Sequence, residues 1–434
     1  MNETPLDLLI SNGTVLTMDS RAPLIENGAV AVQNDGIVWV GPASNSPWKT
    51  AKRHIDARGG IIMPGLINTH THAAMTLFRG IADDLPLMSW LNDHIFPAEA
   101  GLTEEKVYWG ALLACAEMIL SGTTCFCDMY LFEGGVARAA ADAGMRAIVG
   151  EVLFDFPSPH YGELEKGFAY SRSLATQWKD HPLVSIAIEP HSPYLCAPDL
   201  LQRGHWMAEE MNLRLVVHVS ETQSEVEQIR GKYGVTPVRH LANLGVLSSR
   251  LLACHCVVLE NEDISLLKAH EVKVAHNPES NMKLASGIAP VPQLMNAGIC
   301  VSLGTDGCAS NNNLDMFREM DTAAKLHKVH ALDPTVMAAA DTLRMATLNG
   351  AAALGLDAVT GSLVAGKKAD IIVIDTRKPH LTPMYRPESH LVYAASGSDV
   401  MHTIINGRVV MENRHLLTMD VNTVMQEVRE IVKR

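Results

Sequence analysis

From about Gly60 the chain alternates short apolar, strand-like runs with helical stretches, and this alternation restricts the fold more than any other feature. The runs are GLINTHTH, GTTCFCDM, RAIVGEVLF, LVSIAIEP, LRLVVHVSE, LLACHCVVL, VKVAHNP and ICVSLGTD, eight between Ile61 and Asp306. Strands separated by helices pair in parallel. Eight of them predict an α/β fold, a closed (β/α)8 TIM barrel rather than an open sheet. Before Gly60 the text is β-type with little helix, and Asn12-Gly13 and Asp35-Gly36 are hairpin signals. β-type text returns after TLRMATLNGAAALGL, as GSLVAGKKADIIVID and VMHTIINGRVVMENR. We therefore expect a barrel over residues 60–355. The two ends, 1–59 and 356–434, would form one small composite β-sandwich with the helical tail VNTVMQEVREIVKR. The 434 residues suit this division, because one such barrel takes about 250.

Charge and cysteine content exclude several function classes. The chain carries 35 basic and 48 acidic residues, a net charge of −13, with no block of like charges. A nucleic-acid-binding surface needs a basic stripe, and none is visible. No apolar run approaches the ~20 residues of a membrane span. Met1 to Val15 includes Glu3 and Asp7 with no leading basic cluster, unlike a signal peptide. Eight cysteines are too sparse for a disulfide scaffold, and Cys115, Cys254, Cys256 and Cys300 sit in apolar text. Cys125-Phe126-Cys127 and Cys254-His255-Cys256 have the wrong spacing for a closed zinc site and read as core thiols. A reduced, cytoplasmic protein is the expectation.

The chemistry collects at the ends of the expected strands. His70 and His72 close the first at a spacing of two, which puts both side chains on one face. His218 ends another run, with Glu221 three residues on; His255 and Asp306 end two more. Active sites of this barrel lie at the C-terminal ends of its strands. Imidazoles and a carboxylate converging there suit a divalent metal with room for water. Any one of them alone would more often be a satisfied polar residue, but together they are hard to leave to chance.

The run PGLINTHTH, with HVSE, the strand-end His255 and SLGTDG, resembles the amidohydrolase superfamily. Within it the chain is similar to the 5-methylthioadenosine/S-adenosylhomocysteine deaminase family. The further matches are Trp90 with Phe96-Pro97-Ala98-Glu99, the stretch Pro190 to Tyr194, and HNPESNMKL from His276. The resemblance covers nearly the whole chain. It implies His70, His72, His218 and Asp306 as metal ligands, and Glu221, His255 and Asp306 as proton-handling groups. It implies Glu99 and His191 as substrate contacts, with Trp90 a stacking wall; Glu221 and Asp306 also face the substrate. The activity implied is hydrolytic deamination of S-adenosylhomocysteine or 5′-methylthioadenosine. A metal such as Zn²⁺, with Fe²⁺ and Mn²⁺ as alternatives, lowers the pKa of bound water toward ~7 for attack on purine C6. RAIVGEVLF and LVSIAIEP contain no lysine to bridge a second ion, which favours one metal per subunit. A homo-oligomer is a further expectation of the family.

The sequence departs from the family at one informative place. The family's substrate-contacting arginine would fall near Glu151, where an acid stands instead. Other readings remain open at this point: an aminohydrolase of adenosine, guanine, a pterin or an s-triazine, or a catalytically dead barrel used as a scaffold. The scaffold is the weakest, because all six expected metal and proton-handling residues are present.

Overall fold

The protein is described from a computed structural model, which covers residues 6–85 and 89–433. Its N-terminal strands are β1 (Leu6–Leu16), β2 (Leu24–Gln33), β3 (Gly36–Pro42), β4 (Ala51–Asp56) and β5 (Ile61–Pro64). The strands β6 (Leu66–Thr71), β7 (Thr123–Tyr130), β8 (Arg146–Leu153), β9 (Val184–Pro190), β10 (Arg214–Val219), β11 (Leu251–His255), β12 (Lys273–His276) and β13 (Val301–Leu303) follow. The last are β14 (Ile371–Ile374), β15 (Val400–Ile405), β16 (Arg408–Glu412) and β17 (His415–Leu416).

β6 to β13 pair in sequence order as one eight-stranded sheet, parallel at every step. First and last strands meet where the Asp306 N–H donates to the His70 carbonyl at 2.9 Å and Thr69 Oγ1 donates to Leu303 O at 2.9 Å. The alternation in the sequence is this barrel. Every residue of β7 and β8 is buried, which explains why the strands read as continuous apolar runs rather than as alternating ones. The helices between them show one apolar stripe each. In Pro198–Met211 it is Leu200, Leu201, Gly204, Met207 and Ala208, the spacing of a helix lying on a sheet.

The two ends of the chain build one nine-stranded mixed sheet. β14 enters it antiparallel to β5, and β1 joins β2, β4 and β5. The sheet curls over an apolar cluster that includes Ile10, Val30, Ile37, Ile62, Ile371, Ile404 and Val409. Its far strands therefore approach each other: Ala369 N–H donates to Asp35 O at 2.9 Å, and Arg53 on β4 pairs with Glu412 on β16 at 2.6 Å. This is the composite terminal unit expected, except at its seam. Ile61–Pro64 belongs to the terminal sheet, and the chain crosses into the barrel at Gly65. A Cβ on Gly65 would lie 2.1 Å from the Thr124 side chain, so only glycine fits the crossing. The tail helix Val421–Ile431 packs on Glu104–Leu120. Among the described residues no helix is long and apolar enough to cross a membrane.

Candidate metal centre and substrate cleft

The C-terminal ends of β6, β10, β11 and β13 bring His70, His72, His218, His255 and Asp306 to one point. Ligand atoms of His70, His72 and His218 lie within 4.8 Å of one another, as do those of His70, His255 and Asp306. Asp306 Oδ1 is 3.0 Å from His72 Nε2 and 3.5 Å from His70 Nε2. Each imidazole is held through Nδ1, which leaves Nε2 to face the centre. His70 Nδ1 meets the Cys254 thiol at 3.3 Å, His72 Nδ1 meets the Met129 carbonyl, and His218 Nδ1 meets the His191 carbonyl at 2.8 Å. His255 Nδ1 meets Asn281 Oδ1 at 2.8 Å. The other oxygen of Asp306 accepts from Ser280 Oγ at 2.6 Å and Ser310 Oγ at 3.0 Å.

This arrangement fits a divalent ion. Among the described residues His70 Nε2 is buried with no hydrogen-bond partner, an expensive state for a nitrogen that points at other ligand atoms. The electrostatics agree. Burial alone would raise Asp306, but the His70 and His72 imidazoles beside it hold its carboxyl well below the usual range. Burial alone would lower His72, but Asp306 reverses that and raises it to about 9. His70 is pulled down to about 4, chiefly by burial. The centre thus attracts positive charge, and three imidazoles with a carboxylate and no thiolate are the donor set of an ion of zinc's class.

Local backbone geometry presents these groups. Ser220, His255 and Asp306 have positive φ values of 54°, 73° and 60°, a left-handed conformation that non-glycine residues adopt where the surrounding structure enforces it. Close packing behind the ligands depends on two glycines. A Cβ on Gly304 would lie 2.5 Å from Asn277 Oδ1 and 2.9 Å from His70 N, and one on Gly307 would lie 2.5 Å from Met75 Sδ.

The centre floors a cleft lined by Trp90, Glu99, His191, Glu221, His255 and Asp306 among others. All the expected substrate-facing residues therefore meet in one place. Burial raises the Glu221 carboxyl above its ordinary value and pushes Glu99 up to about 7. His191 is drawn down to about 3 by burial and stands 4.7 Å from His218, ring to ring. Trp90 is buried in the wall, its Nε1 without a hydrogen-bond partner among the described residues.

Sequence reasoning missed the residues that hold these groups in place. Glu225 accepts from Ser220 N–H at 2.9 Å and from Glu221 N–H at 2.7 Å, fixing the turn that presents Glu221. Its only sequence signal is a position four residues beyond Glu221. Asp128 Oδ1 accepts the Ala73 N–H directly after His72, at 2.5 Å. Tyr130 and Phe154 line the cleft and carried no motif, and Tyr194, the last residue of the matched stretch from Pro190, lines it without having been given a role. Glu151, where the sequence departs from the family, lies outside the cleft lining. It is buried and takes the Glu133 N–H at 3.0 Å and His160 Nδ1 at 2.8 Å.

Residues 61–410 match the family described as Amidohydrolase family. The chain is 59% identical, over 100% of its length and 99% of the relative's, to a 5-methylthioadenosine/S-adenosylhomocysteine deaminase of Syntrophobacter fumaroxidans. It is 47% identical to a 5′-deoxyadenosine deaminase of Methanosarcina acetivorans, over 98% of this chain and 97% of that one. Among solved structures, an adenosine deaminase from Xanthomonas campestris with bound zinc superposes with a TM-score of 0.96 at 40% identity, covering 99% of both chains. With its barrel, its strand-end ligand group and these matches together, the chain belongs to the amidohydrolase family.

Proposed function

We propose that the protein is a metal-dependent hydrolytic deaminase of adenine nucleosides altered at the 5′ position, the class that includes S-adenosylhomocysteine and 5′-methylthioadenosine, releasing ammonia and the inosine-type product. The observation that carries this reading is the cleft itself. A metal-fitting group of imidazoles and one carboxylate shares it with two buried acids, Glu221 and Glu99, whose protonated forms are favoured by burial. The named activities of the relatives support the substrate class.

His70, His72, His218 and Asp306 would hold one divalent ion, zinc for choice. When bound, the ion polarises water and makes a hydroxide-like nucleophile available near neutral pH. Glu221, whose protonated form burial favours, donates to the ring nitrogen beside the amino-bearing carbon, so that carbon becomes electrophilic. The same carboxyl then takes the proton of the newly attached oxygen as the carbonyl forms and passes it to the departing ammonia, and the proton that Asp306 took from the water restores it. His255, fixed on Asn281, holds the incoming oxygen through Nε2. Asp306 takes the water's proton on Oδ1, since its other oxygen is engaged by Ser280 and Ser310. Glu99 accepts from the ribose hydroxyls, and His191 and Trp90 border the nucleoside.

We extend the proposal to two structural units, a barrel running to residue 355 and a terminal unit, with the seam at Gly65 rather than at residue 59. A homo-oligomer in the cytoplasm, acting on a small-molecule nucleoside, completes it; eight unpaired cysteines suit a reducing compartment. The test is ammonia release by the zinc-loaded protein from 5′-methylthioadenosine, S-adenosylhomocysteine, adenosine, guanine, a pterin and an s-triazine. Turnover is expected with adenine nucleosides. Faster turnover of guanine, the pterin or the triazine refutes the reading.

A further inference from the structure

We propose that the enzyme selects adenine nucleosides whose 5′ substituent is small and uncharged, 5′-deoxy or 5′-methylthio, and discriminates against the charged amino-acid tail of S-adenosylhomocysteine. The inference rests on the deaminase reading above and concerns the same cleft.

The homocysteine tail ends in a carboxylate and an ammonium. A pocket that selects it supplies a cation for the first, because an unpaired carboxylate gives up hydration on entry without recovering it. The described lining contains no lysine and no arginine. Residues 86–88, outside the described residues, are Pro, Leu and Met and bring no charge. The formal acids of the lining, Glu99, Glu221 and Asp306, are the wrong sign for a carboxylate. With the purine at the metal centre and the ribose at Glu99, the 5′ group adjoins a wall of the described lining, which holds no lysine or arginine.

That wall is apolar and aromatic. Phe154 stacks on Phe156 at 4.1 Å between ring centroids, and Phe96 meets Phe156 edge-on at 6.2 Å. Phe96 stands one turn before Glu99 on the helix Phe96–Glu99, so the aromatic surface adjoins the carboxylate assigned to the ribose. Val152, Leu91 and Leu131 continue it. A methyl or methylthio group gains by burial there.

Neighbouring charges do not supply the missing cation. Lys283 precedes the lining residue Leu284, but its ammonium is held by Asp83 Oδ1 at 2.5 Å, by Ala309 O at 3.2 Å and by Asn312. At position 151 the carboxylate points away, into the N–H groups of Phe132 and Glu133 and onto His160.

The experiment is the ratio of kcat/KM for 5′-methylthioadenosine to that for S-adenosylhomocysteine, measured on the zinc-loaded, full-length enzyme with 5′-deoxyadenosine alongside. An unsatisfied charged group at a binding site gives a ratio of roughly 10–10², with 5′-deoxyadenosine close to the methylthio compound. F154R, which sets a guanidinium in the wall, should shift the ratio at least tenfold toward S-adenosylhomocysteine. Equal or faster turnover of S-adenosylhomocysteine by the wild type overturns the inference and leaves the deaminase reading standing. A folded F154R with an unmoved ratio also overturns it. Absence of turnover with every adenine nucleoside overturns both.

Discussion

Replacing Gly304 by alanine measures how tightly the metal ligands are packed from behind. The new Cβ would lie 2.5 Å from Asn277 Oδ1 and 2.9 Å from both His70 N and His70 Cβ. Asn277 is buried, and its amide lies 3.3 Å from His255 Nδ1, so neither neighbour yields without moving a group at the centre. Gly304 is not among the positive-φ glycines, so alanine meets crowding rather than a forbidden backbone. Overpacking of this kind costs ~1–3 kcal/mol. Disturbing the support of a metal-binding imidazole lowers affinity about 10–100-fold. The assay is zinc affinity by competition with a chromophoric chelator, together with denaturant unfolding of the metal-free protein. Gly231→Ala is the control. It sits in the helix Gln223–Tyr233 with no atom within 4 Å of the added Cβ, and should stabilise by about 0.5–1 kcal/mol. A G304A protein that binds zinc like the wild type and unfolds at the same denaturant concentration would refute the packing argument.

Other variants separate chemistry from support. E221Q should keep its metal and its melting temperature while deamination falls ~10²–10⁴-fold; loss of the metal would make Glu221 a ligand or a direct support for one. H218A should lose metal and activity together, as read by metal analysis and ammonia release. Burial pushes Glu225 up to about 8. Its native pKa exceeds the unfolded value, so its contribution to stability is complete below the unfolded pKa of 4.5 and lost as pH rises toward 8. E225Q should therefore be less destabilised, relative to wild type, at pH 8.5 than at pH 5 in urea titrations; the reverse order would mean the carboxylate is the favoured form.

The strand-end residues were legible because each closes an apolar run, and a parallel barrel turns that position into the floor of a site. The same reasoning misplaced the seam. IIMPGLINT reads as one continuous apolar stretch, yet its first four residues pair with β14 and β1 while the rest begin the barrel. The distant strand 371–374, together with β1, decides between the two sheets, and no local pattern announces it. Glu225 and Asp128 escaped for a related reason, and Ser280 and Asn281, though inside the matched run HNPESNMKL, were given no role. Each is an ordinary polar residue whose importance comes from the N–H, hydroxyl or imidazole it meets in the folded barrel. Glu151 was noticed as an anomaly, but its direction, into a helix N-terminus and His160, follows only from the fold.

Metal titration bears most directly on the central claim. Enzyme stripped by a chelator would be titrated with zinc while ammonia release from 5′-methylthioadenosine is followed. Activity should be absent at the start, rise in proportion to added zinc and level off at one equivalent per chain. Full activity in the stripped protein, or a requirement for two equivalents, would contradict a single metal held by His70, His72, His218 and Asp306.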